Sequence, residues 1–148
     1  MNYLATLVVF CFIGVAFCGE TKTACQEHRE RELKSTVLAK LVPECDENGD
    51  YKPIACYNES VGGKRFCTCF TKNGDIAKSP SQNVKKCECY VSQHEATNPP
   101  RIGAFKPACE ADGTYSKKQC HGSTGMCWCS HPDGNKKTEP TRGTLTCE

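Results

Sequence analysis

The chain has 148 residues, of which 14 are cysteine, and a formal net charge of +2. Nearly one residue in ten is cysteine, a fraction typical of exported proteins that rely on disulfides rather than on a large apolar core. The small net charge and the scattered Lys and Arg residues give no electrostatic basis for nucleic-acid binding, so we expect no nucleic-acid partner.

The chain begins with an apolar segment from Tyr3 to Phe17, followed by the small residues Cys18 and Gly19. This run is too short to span a membrane comfortably, and it has the length of a signal-peptide core. We interpret residues 1–18 as a signal peptide rather than as an uncleaved membrane anchor. The sequence therefore predicts a secreted, extracellular protein without membrane association once the signal is removed.

Loss of Cys11 and Cys18 reduces the fourteen cysteines to twelve, an even number that allows complete pairing. These form two sets of six, with successive separations of 20, 11, 11, 2 and 18 residues in the first and 20, 11, 7, 2 and 18 in the second. The match predicts a duplicated unit. Unit 1 is assigned to residues 25–87 and unit 2 to residues 89–147. Their cysteines are Cys25, Cys45, Cys56, Cys67, Cys69 and Cys87, then Cys89, Cys109, Cys120, Cys127, Cys129 and Cys147.

Unit 1 opens with a charged, leucine-containing stretch from Gln26 to Leu41. Leu33, Val37 and Leu41 recur every four residues and predict the apolar stripe of a short amphipathic helix. Pro43 is expected to end this helix. We expect the stripe to pack against the disulfides of the unit and the charged side chains to face water.

The equivalent stretch of unit 2, Tyr90 to Phe105, contains Pro99 and Pro100, so any helix there must be short or broken. Both units then carry pairs that predict tight turns and hairpins. These pairs are Asn48-Gly49, Asn73-Gly74, Asp112-Gly113 and Asp133-Gly134. Each unit is thus expected to be a small disulfide-rich α+β module with a short helix or turn and a small antiparallel sheet.

A single residue, Glu88, separates Cys87 from Cys89, so the two units should hold a restricted mutual orientation. Units of about 60 residues bury little surface, and each disulfide contributes on the order of 3 kcal/mol by closing a loop. Six cysteines allow 15 pairings, and the spacing alone does not choose among them. Cys127 and Cys129 are too close in sequence to bond each other easily.

Unit 2 ends with a compact cluster, in which Gln119-Cys120 and Cys127-Trp128-Cys129 enclose a short polar loop. Cysteines at both ends of the loop predict a rigid, displayed segment. We interpret Trp128 as a core residue of its unit rather than as a contact residue. The loop consists of His121, Gly122, Ser123, Thr124, Gly125 and Met126.

These residues, with Gly134 and Cys147, resemble the thyroglobulin type-1 domain, whose hallmark is Gln-Cys followed by Cys-Trp-Cys-Val. The resemblance covers both units almost completely, although Ser130 replaces the valine. Unit 1 is more divergent, with Ala55, Thr68 and Phe70 in place of Gln, Trp and Val. Phe66 or Phe70 is a candidate to fill the space of its missing tryptophan.

The resemblance implies sequential pairing within each unit. The implied bonds are Cys25–Cys45, Cys56–Cys67, Cys69–Cys87, Cys89–Cys109, Cys120–Cys127 and Cys129–Cys147. Some members of the family, the thyropins, are reversible inhibitors of papain-like cysteine proteases whose loops enter the active-site cleft as a wedge and exclude substrate. One such loop lies between the third and fourth cysteines, here His121 to Met126 in unit 2 and Tyr57 to Phe66 in unit 1.

Asn58-Glu59-Ser60 is a candidate glycosylation site within the loop of unit 1. A glycan at the tip of this wedge would be bulky and could disable it, and the loop is four residues longer than its counterpart. We therefore expect His121 to Met126 to be the protease-contact loop.

Metal binding by the Cys-x-Cys pairs with His121 and His131 is an alternative. Zinc sites favour two to four residues between cysteines, and exported thiols oxidise, so we expect no metal and no cofactor. Complete pairing leaves no thiol nucleophile, so we expect no enzyme. Four basic pairs are interpreted as solvated, with heparin or acidic lipid as alternative partners. They are Lys64-Arg65, Lys85-Lys86, Lys117-Lys118 and Lys136-Lys137.

Taken together, the residues and the resemblance predict a secreted, monomeric inhibitor of papain-like, cathepsin L-like proteases. Tandem members of the family also occur in spider venoms. The alternatives are a non-inhibitory extracellular binding module and a venom toxin that acts on a receptor or channel.

Overall fold

The computed structural model describes residues 21–148, so the predicted signal peptide, residues 1–18, lies outside it. Strands β1 to β3 form one antiparallel sheet, and β4 pairs with β5 in a two-stranded hairpin. Among residues 21–148, no helix is long and apolar enough to cross a membrane. The expected small disulfide-rich α+β fold is confirmed. The elements are α1 (Ala24–Lys34), β1 (Ile54–Val61), β2 (Lys64–Phe70), β3 (Ile76–Ser81), α2 (Glu88–Thr97), β4 (Lys118–His121) and β5 (Met126–Cys129).

Helix α1 begins with a capping box. The backbone N–H of Gln26 donates to the Thr23 hydroxyl oxygen (3.3 Å), and the backbone N–H of Thr23 donates to Oε1 of Gln26 (3.0 Å). Both groups belong to the first turn, which has no intrahelical acceptors for its N–H groups. The Thr23 hydroxyl also donates to the carbonyl of Gly49 (2.7 Å), which fixes the start of α1 against the first turn of unit 1.

The predicted extent of this helix is wrong. α1 ends at Lys34 rather than near Leu41, because the next residues, Ser, Thr and Val, have lower helix propensity and Leu41 instead forms a β-bridge with Tyr57. Leu33 and Val37 are 56% and 61% exposed, so the predicted apolar stripe does not pack. Leu41 alone of the three packs against the core of unit 1.

Helix α2 is short, as the two prolines predict, and it ends at Thr97. The four Asn-Gly and Asp-Gly pairs all lie in tight turns. In each turn the glycine N–H donates to the carbonyl three residues earlier, at 3.0–3.1 Å. Gly134 shows why glycine is required: its φ is +93°, and an added Cβ would lie 2.8 Å from the ring of Tyr115.

The repeat is visible in side-chain contacts as well as in sequence. Gln93 of unit 2 stands 64 positions after Arg29 of unit 1. The Arg29 guanidinium donates to the carbonyl of Pro43, and the Gln93 amide donates to the carbonyl of Pro107, both at 2.8 Å. Different side chains therefore make the same tie between each helix and the segment that follows it.

Six disulfides join the cysteines in sequential order, which is the pairing that the resemblance implies. They are Cys25–Cys45, Cys56–Cys67, Cys69–Cys87, Cys89–Cys109, Cys120–Cys127 and Cys129–Cys147. Because all twelve cysteines of residues 21–148 are bonded, this part of the chain carries no free thiol.

The two units share a core at their junction. Tyr90 of unit 2 is buried in a cluster with Cys67, Cys69, Val84 and Cys87 of unit 1. Two consecutive backbone N–H groups just before Cys87 also donate to a single carbonyl of unit 2, both at 2.9 Å. These contacts agree with the restricted mutual orientation expected from the one-residue link.

Of the two phenylalanines considered for the space of the missing tryptophan, Phe70 is buried and Phe66 is not. The ring centroid of Phe70 lies 5.4 Å from that of Tyr51, whereas Phe66 is exposed. Thr68, which occupies the position of the missing tryptophan, is buried and donates its hydroxyl to the carbonyl of Lys78 (2.6 Å). Unit 1 thus replaces an aromatic contact at this position by a satisfied hydroxyl.

Candidate functional site

The loop from His121 to Met126 joins the two strands of the unit 2 hairpin. In the register of β4 and β5, Cys120 faces Cys127 and His121 faces Met126. The Cys120–Cys127 disulfide spans the hairpin one step below the loop. The candidate contact segment is therefore held at its base by a covalent bond and by a strand ladder.

Hydrogen bonds inside the loop define its shape. The N–H groups of Gly125 and Thr124 donate to the carbonyl of His121, at 2.8 and 3.2 Å, and the N–H of Met126 donates to the Thr124 hydroxyl (3.3 Å). The four residues of the turn, 122–125, are exposed. The structure therefore presents small side chains on a loop whose last three N–H groups, of Thr124, Gly125 and Met126, are paired within the loop.

A second segment supports the loop from one side. The Ser123 hydroxyl donates to the carbonyl of Gly103 (3.2 Å) and lies 2.9 Å from Nδ1 of His121. One hydroxyl proton cannot serve both bonds, so with Ser123 donating to Gly103, His121 must donate through Nδ1. The His121 ring also stacks on Phe105, with centroids 5.8 Å apart.

Trp128 lies behind the loop in the core of unit 2, as the sequence predicts. It is buried, its ring centroid lies 4.9 Å from that of Phe105, and the ammonium of Lys136 lies 5.1 Å from its ring. Its role is to hold the hairpin on the neighbouring segment rather than to contact a partner.

The contacts of Gln119 show the structural role of the glutamine in the family hallmark. Its side chain is 1% exposed; its oxygen accepts from the N–H of Ala108 (2.8 Å), and its amide donates to the carbonyls of Ala108 and Ser116 (2.8 and 2.9 Å). All of these bonds link β4 to the preceding segment. Gln119 is therefore a buried clamp that positions the hairpin.

Ile102 is a candidate contact residue that the sequence analysis missed. It is fully exposed, and it immediately precedes Gly103, whose carbonyl binds the loop. The sequence feature that could have identified it is a branched apolar residue in a segment of Pro, Arg and Gly, where no core position is expected. Leu38 is the equivalent residue of unit 1, 64 positions earlier, and it is 84% exposed. Both units therefore present an exposed aliphatic side chain at this position.

The loop of unit 1 is built differently. Asn58 lies on β1 and not at the tip, which is the turn at Gly62-Gly63. Its side-chain oxygen accepts from the N–H of Lys40 (2.6 Å), and its amide donates to the carbonyl of Leu38 (3.1 Å). The sequon asparagine therefore fastens β1 to the segment that carries the exposed leucine.

The described residues contain no group of three or more His, Cys, Asp or Glu side chains arranged to hold a metal ion. His121 and His131, considered above as zinc ligands, lie near cysteines that are bonded to other cysteines. The exposed residues 122–125 offer hydroxyl and backbone groups for hydrogen bonding, and Ile102 offers apolar surface.

Comparison with known proteins identifies the repeat. The family model for the thyroglobulin type-1 repeat matches residues 18–89 and 90–147. U20-hexatoxin-Hi1a of Hadronyche infensa is 47% identical over 151 residues, covering 99% of each chain. U24-ctenitoxin-Pn1a of Phoneutria nigriventer is 38% identical, covering 86% of this chain and 98% of its own. Equistatin of Actinia equina is 29% identical, covering 95% of this chain and 63% of its own.

These relatives confirm the predicted likeness to two-unit toxins. Six disulfides and two relatives named as toxins also confirm the predicted extracellular location. Family models match nearly the whole described chain, in two consecutive segments. The chain belongs to the thyroglobulin type-1 family, as a tandem of two repeats.

Proposed function

We propose that the protein is a secreted, monomeric, reversible inhibitor of papain-like cysteine proteases, and that unit 2, residues 89–147, carries the contact. The family includes both inhibitors and binding modules that are not enzymes, and the proposal places this protein among the inhibitors. The observation that carries it is the exposed loop His121 to Met126, anchored by the Cys120–Cys127 disulfide and braced through Gly103.

Preorganisation supports tight binding by this loop. Ordering a flexible side chain at an interface costs about 0.5–1.5 kcal/mol. Residues 122–125 are Gly, Ser, Thr and Gly, which have few rotatable bonds, and the N–H groups of Thr124 and Gly125 already donate to the carbonyl of His121. More of the contact energy can therefore appear as affinity.

The exposed surface formed by residues 122–125 and Ile102 offers two kinds of contact. The small loop residues allow close approach of the backbone to the walls of a narrow cleft, and Ile102 supplies an exposed aliphatic side chain beside them. Burial of one isoleucine side chain contributes about 1.5–3 kcal/mol. Inhibition then requires only that the bound surface excludes substrate, and no residue of the inhibitor takes part in chemistry.

Unit 2 is favoured over unit 1 as the inhibitory unit. The unit 1 loop is longer and contains the Asn58 sequon, and a glycan on its amide nitrogen would project beside Leu38. The loop of unit 2 contains no sequon. The two units therefore differ in the length and the possible glycosylation of the loop that we assign to protease contact.

The proposal is tested by titration against papain and a cathepsin L-like protease. Replacing residues 122–125 by a flexible linker of the same length should abolish inhibition. Insertion of four flexible residues between Gly62 and Gly63, at the exposed turn of the unit 1 loop, serves as the control and should leave inhibition intact, because it keeps β1 and the Asn58 sequon. Ile102→Ser should weaken inhibition by about tenfold or more, from the loss of apolar burial. Full inhibition by the residue 122–125 variant would exclude this assignment.

Relatives named as toxins favour a second candidate, a venom toxin that acts on a receptor or channel. The same titration separates the two, extended to aspartic and serine proteases. Absence of inhibition across all three classes would support the toxin or a non-inhibitory binding module, and it would reject the inhibitor.

A further inference from the structure

A groove at the junction of the two units gathers basic side chains. We call it the junction groove; it has a volume of about 520 Å³. The disulfide Cys56–Cys67 forms part of its lining, and no large apolar side chain contributes. Its polar lining residues are Lys64, Arg65, Gln82, Asn83, Lys85 and Asp112.

The fold brings together cations that are distant in sequence. Lys64 and Arg65 begin β2, directly after the turn of the β1–β2 hairpin. Lys85 follows β3, and its backbone N–H donates to the carbonyl of Asp112 (2.9 Å), which holds it at the junction. Two of the four basic pairs of the sequence therefore supply cations to one groove.

None of these cations forms a salt bridge in the described chain, although the charge of Lys85 helps Thr114 to lower the pKa of Asp112. Every ion pair found among residues 21–148 lies between residues 22 and 52. The one acidic residue of the groove, Asp112, already accepts hydrogen bonds through Oδ1 from the N–H (3.0 Å) and hydroxyl (2.7 Å) of Thr114. Three cations against one carboxylate leave a groove charge of +2.

We propose that the junction groove binds a sulfated polysaccharide chain, with Lys64, Arg65 and Lys85 contacting its sulfate groups. A linear polyanion fits a concave groove and can place successive sulfates against several cations. An anionic lipid surface fits less well, because a flat membrane cannot enter a concavity and the groove offers no large apolar side chain for insertion. This inference is independent of protease inhibition.

Heparin is the probe for a binding measurement on the full secreted chain. Lys64→Ser/Arg65→Ser should weaken heparin binding about tenfold. It should also lower the slope of log affinity against log salt concentration by about 1.5, because each lost cation removes about 0.7–0.9 of a released counterion. The control, Lys106→Ser/Arg142→Ser, removes the same two residue types from exposed positions outside the groove and should change affinity less than twofold.

Three results would overturn the proposal. Equal weakening in both double variants would mean that net charge, and not the groove, attracts heparin. Binding to phosphatidylserine vesicles without binding to heparin would assign the cations to a lipid surface. Displacement of heparin by inorganic sulfate at an equal concentration of sulfate groups would show a single-anion site with no preference for a polymer.

Discussion

Replacement of Gln119 by alanine tests whether the buried clamp holds the hairpin of unit 2. The side chain makes three hydrogen bonds to the backbone of Ala108 and Ser116. Alanine removes all three and leaves a cavity beneath the candidate loop. The change touches no exposed residue of that loop, so its effect must pass through the fold.

The magnitude follows from the bonds that are lost. A hydrogen bond contributes about 1 kcal/mol net, and a buried group left unpaired costs about 1–3 kcal/mol. Three bonds therefore predict that Gln119→Ala lowers the free energy of unfolding by about 3 kcal/mol. Unit 1 tolerates Ala55 at the equivalent position because that alanine packs in an apolar cluster with Phe70, where unit 2 has Ser130.

The assay is guanidinium unfolding followed by tryptophan fluorescence. Trp128 is the single tryptophan of the chain and is paired with Gln119 across the hairpin, so its emission reports on unit 2. Gln93→Ala is the matched control, since it removes one hydrogen bond from a half-buried glutamine and should cost about 1 kcal/mol. A loss for Gln119→Ala no larger than that of the control would refute the reasoning.

Two further predictions concern the junction and α1. Tyr90→Phe removes a hydrogen bond to the Glu110 carbonyl and should cost about 1 kcal/mol, whereas Tyr90→Ala also empties the shared core and should cost about 3–5 kcal/mol; equal losses on chemical denaturation would contradict the packing role. Hydrogen bonds from Lys22 and Lys34 lower the pKa of Glu30 to about 2, so their stabilisation is present above its ordinary pKa of 4.5 and is lost as pH falls towards 2. Lys34→Ala should raise this pKa in an NMR titration, and an unchanged value would contradict the pairing.

Cysteine spacing and turn residues were the most informative parts of the sequence. Their physical constraints are local or covalent: an Asp-Gly pair such as Asp133-Gly134 favours a tight turn wherever it lies, and bonded cysteines permit few chain paths. The repeat, the turns and the α+β fold were predictable for this reason. The short α2 followed from the inability of proline to continue a helix.

The features that the sequence did not predict depend on contacts between segments that are distant in sequence. A four-residue period at Leu33, Val37 and Leu41 is compatible with a helix, but Leu41 gains a β-bridge to Tyr57 that the period cannot reveal. The exposed edge at Ile102 and the junction groove also depend on how distant segments meet. Sequence alone could list the basic pairs but could not show which of them converge.

The one-residue link between Cys87 and Cys89 affects the resistance of the protein to proteolysis. Proteolytic nicking of multidomain proteins concentrates in exposed, flexible connections. Here the connection is Glu88, the first residue of α2, and the two residues before Cys87 are hydrogen-bonded through their backbone to Asp112. A protease that needs an extended substrate strand finds none between the units, so the tandem is expected to stay intact in the presence of proteases.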